Sequence, residues 1–237
     1  MNKNTLIQTV NKYCAHNYHP LDVVLSRGHG IWVYDTSGEK YLDFLSAYSA
    51  LNQGHTHEKI IRAIKKQLNK ITLTSRAFYN DQLGLFAKDL CKLTGFEMML
   101  PMNTGAEAVE TAIKIARKWG YYKKGVKSGK AEIIVCQNNF HGRTISIISF
   151  STEEQYRDGF GPYTKGFRII KFNDLKAIKD AIGPNTVAVF LEPIQAEGGI
   201  IVPDKGYLTG VANICRKNNM LFMLDEIQTG LGRTGKL

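Results

Sequence analysis

The chain has 237 residues, 43% of them hydrophobic, and a formal net charge of +10 at pH 7. That is enough apolar material for one large α/β domain, or for one domain and a smaller piece, and no apolar run reaches the ~18 residues of a membrane span. The lysines are spread along helices, as at Lys65-Lys66, Lys123-Lys124 and Lys176 and Lys179, without an arginine and aromatic stripe, so the charge reads as a solvated surface, not a nucleic-acid face, and it would also suit an anionic substrate.

The first residues, Met1 to Tyr13, contain no apolar signal core and no Arg/Ser-rich transit pattern, which makes a soluble cytoplasmic protein the expectation. Cys14, Cys91, Cys136 and Cys215 are scattered without a CxxC pair, so reduced and mostly buried thiols are expected. Residues 1–50 read as irregular and strand-like. Residues 31–35 and 41–44 flank a Thr36-Ser37-Gly38 turn and predict a hairpin. From about residue 56 the pattern changes to alternating helix and strand. Ile60, Ile61, Ile64 and Leu68 recur at helical spacing. A helix over 81–93, a short strand near 98–102 and a helix over 105–119 follow. Strands are predicted at 132–136 and 145–150, then at 168–170, with a helix over 174–182. A strand at 187–192, a helix over 207–218 and a strand at 221–224 complete the order. Strands that are apolar throughout are buried on both faces. The expected fold is therefore α/β, a mostly parallel sheet with helices on both faces, with 51–237 as the main domain and 1–50 as a separate N-terminal segment.

Four strand ends carry candidate chemistry. Gly105 and Ala106 fall at a helix start, where free N–H groups and the helix dipole attract an anion and small side chains let a phosphate approach. In Asn139-Phe140-His141-Gly142-Arg143-Thr144 the aromatic can stack on a flat ring while the arginine grips a carboxylate. Glu192 ends the 187–192 strand, directly after its apolar run, and Glu197 follows it. Asp225, with Gln228 close behind, sits at the tip of the last strand, and a buried carboxylate there needs a cationic partner. Four such ends in one parallel sheet converge on the edge where α/β proteins bind ligands.

Several contiguous runs go further. They are Asn103-Thr104-Gly105, Phe140-His141-Gly142-Arg143-Thr144, Glu192-Pro193-Ile194-Gln195 and Asp225-Glu226-Ile227-Gln228-Thr229-Gly230. With these runs the chain resembles the class III (fold type I) pyridoxal-phosphate aminotransferases over nearly its whole length. Ala15-His16-Asn17-Tyr18-His19-Pro20, the run Tyr48 to His55, and Thr74-Ser75-Arg76-Ala77-Phe78-Tyr79-Asn80 resemble the ornithine-specific members. The resemblance implies pyridoxal 5'-phosphate as cofactor, with Gly105 and Ala106 at its phosphate, Phe140 stacked on its ring, Asp225 at its pyridine nitrogen and Gln228 near its 3-oxygen. It implies that Tyr18 and Arg143 hold the α-amino and α-carboxylate ends of ornithine, that Tyr48 walls the substrate pocket, that Glu197 masks an arginine from a C-terminal domain, and that Glu192 is a further site acid.

The implied reaction moves the δ-amino group of ornithine to 2-oxoglutarate, giving glutamate semialdehyde and glutamate, in a homodimer. Acetylornithine and 4-aminobutyrate are the alternative substrates, and a non-catalytic fragment is the alternative role. Where ornithine members commonly read Gln-Gly-Glu-Ala-Gly, this chain reads Gln195-Ala196-Glu197-Gly198-Gly199, closer to acetylornithine members. The position of His141 varies within the family and discriminates nothing. The family's cofactor lysine lies past a further helix and strand beyond Asp225. Lys236 comes too soon to match it, so a chain truncated before that lysine, and inactive alone, is the expectation. Two decoys fall away. Gly230 to Lys236 fits GxxxxGK, but Leu237 stands where a nucleotide-binding loop needs Ser or Thr. His16/His19 and His55/His57 have no third ligand, so no metal is expected.

Overall fold

The structure, a computed structural model, describes residues 2–236. The chain forms two compact units, Met1–Phe96 and Glu97–Leu237.

The first unit opens with helix α1 (Lys3–Tyr13), capped by the Asn2 side chain, which accepts from the Thr5 N–H. A three-stranded antiparallel sheet follows, built from β1 (Leu25–His29), β2 (Trp32–Asp35) and β3 (Lys40–Leu42). The expected hairpin is therefore present, and Asp35 shows why it turns. Its buried carboxylate accepts from the Ser37 N–H and hydroxyl at 2.9 and 2.7 Å and from the Glu39 N–H at 2.9 Å, the local competition with the ladder that makes such residues turn formers. The one-turn element α2 (Ser46–Ser49) has positive φ throughout, with φ of 49° at Ala47 and 55° at Tyr48. Consecutive non-glycine residues there are strained. Asp43 holds the entry to this turn, accepting from the Ser46 N–H at 2.8 Å and from His55 Nε2 at 2.8 Å.

Helices α3 (Glu58–Leu68) and α4 (Leu83–Thr94) complete the unit, and Gly95 ends α4 at φ 77°. The predicted stripe of Ile60, Ile61, Ile64 and Leu68 lies on α3 and is exposed. No helix among the described residues is long and apolar enough to cross a membrane.

The second unit carries a four-stranded, fully parallel sheet in the order β5 (Phe167–Ile170), β4 (Glu132–Cys136), β6 (Thr186–Leu191), β7 (Leu221–Leu224). Its helices are α5 (Gly105–Trp119), α6 (Ile145–Ile148), α7 (Leu175–Ala181) and α8 (Tyr207–Lys217). Strand periodicity sorts the core. Ile133, Val135, Ala188 and Phe190 face one side and pack with Val109, Ile113 and Ala116 of α5 and with Ile147 of α6. Ile134, Cys136, Val189 and Leu191 face the other and pack with Ile178 of α7 and with Val211, Ile214 and Cys215 of α8. Every residue of β6 is buried, as expected for a strand covered on both faces, and each fully buried aliphatic side chain contributes about 1.5–3 kcal/mol.

Three expectations are corrected. The N-terminal segment read as irregular and strand-like opens with the 11-residue helix α1, which the Asn2 side chain caps. Residues 98–102 form no strand: Met98 and Leu100 are exposed, and the segment pairs with no strand among the described residues, so no ladder holds it extended. Residues 145–150 begin as the short helix α6, not a strand. Their β-branched content favours a strand, but Ile147, Ile148 and Phe150 are all buried, and the Ser149 hydroxyl turns back to the Ile145 carbonyl at 2.7 Å. Tertiary packing overrides propensity there. The cysteines are all free, and Cys136 and Cys215 are buried while Cys14 is exposed.

The strand order places the site. From β4 the chain crosses to β5 on one side, and from β6 it crosses to β7 on the other. The loops leaving β4 and β6 therefore part in opposite directions, and such a switch point opens a crevice at the carboxyl ends of the strands.

Candidate active site

That crevice is a cavity lined by Gly105, Ala106, Phe140, His141, Gly142, Glu192, Ile194, Asp225, Ile227, Gln228 and Thr229. Of the residues singled out from sequence, Gly105, Ala106, Phe140, Glu192, Asp225 and Gln228 are thus brought together. Each arrives for a local reason. Thr104 caps α5 through its hydroxyl, which accepts from the Glu107 N–H at 3.1 Å, while the Glu107 carboxylate reaches back to the Asn103 N–H at 2.9 Å. This reciprocal cap leaves the N–H groups of Gly105 and Ala106 without a partner among the described residues, at the positive end of a 15-residue helix. A Cβ added at Gly105 would come within 3.2 Å of Ile227, so glycine lets the loop after β7 close against the helix start. Gly142 has φ 119°, and a Cβ there would press on Ala106 and Ile147.

Asp225 continues the β6–β7 ladder through its N–H to the Leu191 carbonyl at 2.9 Å. Its carboxylate is 6% exposed and accepts from His141 Nδ1 at 2.6 Å and from the Ile227 N–H at 3.0 Å. His141 is the residue that sequence reasoning missed. Its ring lies stacked on Phe190, centroids 4.2 Å apart, and its Nε2 is buried without a partner. The demand for a cationic or donor partner at Asp225 is the one signal that could have found it. Beneath it, Phe150 lies 5.8 Å from the His141 ring and 4.4 Å from Phe167. Asn139 ties the loop down, donating from Nδ2 to the Cys136 and Phe150 carbonyls at 2.6 and 3.0 Å.

Glu192 is 7% exposed and accepts from the Phe140 N–H at 3.1 Å. Burial pushes its carboxyl up to about 8, and the neighbouring Asp225 and Glu197 carboxylates add to the rise while the Phe140 N–H opposes it. The protonated form is therefore the one the fold prefers. Its contribution is complete below the usual carboxylate range and is lost as pH rises towards 8, because the unfolded chain ionises Glu192 first. Glu192→Gln should accordingly gain stability over the parent as pH rises from 5 to 8, read by thermal unfolding of the cofactor-free full-length protein. A difference that stays flat with pH would refute the assignment.

Gln228 donates from Nε2 to Glu197 Oε1 at 3.1 Å, which joins Glu197 to the cavity rim. Arg143 is exposed and does not line this cavity. Tyr18 and Tyr48 belong to the first unit, where their hydroxyls are hydrogen-bonded to one another. Of the two histidine pairs, His55 bonds to Asp43 and His16 to the Asn11 carbonyl.

The cavity has the chemistry of a site for an anionic group joined to a flat cationic ring. The unpartnered N–H groups at the start of α5, the Phe140 ring and the Asp225 carboxylate meet in it, with Glu192 beside them and Glu197 at the rim. With Glu192 holding its proton, a protonated ring nitrogen would meet the charge of the buried Asp225 carboxylate. Pyridoxal phosphate fits that description.

The sequence of residues 13–237 matches the family model for class III aminotransferases. The chain belongs to the class III aminotransferases. Among the curated proteins it is similar to the ornithine aminotransferases of Brevibacillus brevis, 60% identical over 234 residues, and Bacillus subtilis, 58% identical over 231 residues. Those alignments cover 99% and 98% of this chain but 59% and 58% of the relatives, so the chain spans about three fifths of their length. Among solved structures, the ornithine aminotransferase of Toxoplasma gondii superposes with a TM-score of 0.98 at 45% identity, covering all of this chain and 56% of that one. That crystal structure shows partial occupancy of PLP at its active site. The acetylornithine aminotransferase of Elizabethkingia anophelis superposes with a TM-score of 0.88 at 52% identity, covering all of this chain and 58% of that one. As a class III aminotransferase, the chain has the α/β fold with a parallel sheet that its sequence predicts.

Proposed function

We propose that the full-length protein transfers the δ-amino group of ornithine to 2-oxoglutarate, with pyridoxal phosphate as cofactor, giving glutamate semialdehyde and glutamate. The observation that carries this reading is the buried Asp225–His141 pair at the tip of β7, beside Phe140 and the start of α5. Bound in that cavity, pyridoxal phosphate would supply an aldehyde to take the amino group and a pyridinium ring to draw off electrons.

The chain's own residues have separable tasks. The N–H groups of Gly105 and Ala106 would hold the phosphate. The Phe140 ring would press on one face of the cofactor ring. Asp225 would hold a proton on the ring nitrogen, and His141 Nδ1–H fixes the carboxylate that does so. Glu192 anchors the backbone of Phe140, and Gln228 would reach the cofactor's 3-oxygen. Arg143 would take the α-carboxylate of ornithine and Tyr18 its α-amine, which turns the distal amine towards the cofactor, with Tyr48 as the wall. Glu197 would occupy the arginine that must be hidden while ornithine is bound. No lysine lines the cavity among the described residues, so the lysine that would hold the cofactor is none of the described ones, and residues 1–237 alone would be inactive. Residues 1–50 would serve the small domain and a homodimer interface, in a cytoplasmic enzyme.

Acetylornithine is the second reading, favoured by the Gly198-Gly199 pair and by the Elizabethkingia neighbour. The test is turnover of the full-length protein, loaded with pyridoxal phosphate, on ornithine, acetylornithine and 4-aminobutyrate with 2-oxoglutarate. Ornithine should have the highest kcat/KM. Arg143→Lys should then lower kcat/KM for ornithine roughly ten- to a hundredfold, the worth of a charge-assisted hydrogen bond whose planar fork a lysine cannot reproduce. Preference for acetylornithine in the parent would replace the first reading with the second.

A further inference from the structure

One aromatic side chain outside the cavity touches both halves of this proposed machinery. Tyr156 closes the short turn Glu154–Tyr156, which Glu153 caps by accepting from the Gln155 N–H. The Tyr156 N–H bonds to the Glu153 carbonyl at 3.2 Å, and the next residue, Arg157, donates from Nη1 to the Ser151 carbonyl at 3.3 Å. Tyr156 is half-buried. The edge of its ring meets Phe140, with centroids 5.8 Å apart and planes at 66°. The Arg143 guanidinium carbon lies 6.0 Å from its centroid. A second cavity of about 300 Å³ opens here, lined by Phe140, Glu153, Tyr156 and Glu197 among others.

Arg143 is exposed and makes no ion pair among the described residues. A free arginine of this kind samples many rotamers, and two-pronged recognition of a carboxylate rewards one that is already oriented. A ring face beside the guanidinium narrows that choice. The same ring braces Phe140 by an edge-to-face contact. Resting on the functional reading above, we propose that Tyr156 is a positioning residue for substrate specificity, setting Arg143 for the α-carboxylate and bracing Phe140.

The test uses the full-length holoenzyme with ornithine and with 1,4-diaminobutane, which has the two amines and no carboxylate. Tyr156→Leu should raise KM for ornithine about three- to tenfold, the size expected from losing one aromatic or cation–π contact. It should leave kcat within about twofold and leave the KM for 1,4-diaminobutane unchanged. Tyr156→Phe keeps the ring and should restore the parental ornithine KM. The visible circular dichroism of bound pyridoxal phosphate should change in the Leu variant and not in the Phe variant, which reports on Phe140 without turnover. An unchanged ornithine KM in the Leu variant, or an equal rise for both substrates, overturns the proposal. A parent that binds pyridoxal phosphate but ignores ornithine sinks the substrate reading instead. The same comparison then runs on acetylornithine, whose α-carboxylate makes the same demand on Arg143 and Tyr156.

Discussion

Replacing Asp225 with asparagine in the full-length protein should lower kcat/KM by about two to four decades. The carboxylate is almost fully buried and is held by His141 Nδ1 and the Ile227 N–H. An asparagine keeps the shape but has no charge with which to keep a ring nitrogen protonated. Breaking one partner of a buried pair costs roughly 3–5 kcal/mol, which at 1.36 kcal/mol per decade gives that loss. Asparagine offers one acceptor oxygen where the carboxylate offers two, so it can accept from only one of His141 Nδ1–H and the Ile227 N–H while keeping its place. Steady-state kinetics, with thermal unfolding to confirm the fold, checks the prediction. Activity within threefold of the parent would dismiss Asp225 from the proposed role.

The second large effect falls on stability. Phe150→Ala should destabilise the full-length protein by about 3–5 kcal/mol, the range for removing a fully buried aromatic. Phe150 is 0% exposed and packs against Phe167 and the His141 ring. Its carbonyl also accepts from Asn139, so the cavity left behind would loosen the loop that carries Phe140 and His141. Denaturant unfolding measures the loss. A cofactor affinity that falls in parallel would show that the packing also serves the site, and a loss below about 1 kcal/mol would mean that the neighbours collapse into the space.

The candidate site was legible in sequence where chemistry sits on contiguous residues. Asp225 follows an apolar run, Gly105 and Ala106 follow a capping threonine, and Phe140 and Arg143 share one short segment. Those signals are local. Gly105 and Ala106 arrive at the start of α5, and Arg143 stays outside the cavity. The structure gathers Phe140 and Asp225 because β4, β6 and β7 are parallel neighbours. Their loops must emerge on the same edge. What sequence reading missed depends on distance in space. His141 is 84 positions from Asp225, and Phe140 is 52 from Glu192. No periodicity links residues so far apart, and His141 next to a more conspicuous phenylalanine offered no distinction of its own.

The amino-acid sequence by itself determined the alternation of helix and strand, the parallel sheet and the hairpin around Asp35. Apolar period, burial on both faces and turn chemistry are properties of neighbouring residues. Only the tertiary structure decided that 145–150 would start as a helix and that 98–102 would stay unpaired. Helix and strand compete closely in a short β-branched run, and packing of Ile147, Ile148 and Phe150 tips the balance. It also decided which partner Asp225 takes and that Glu192 prefers its proton, because burial and the crowding of acids exist only once the strands are side by side.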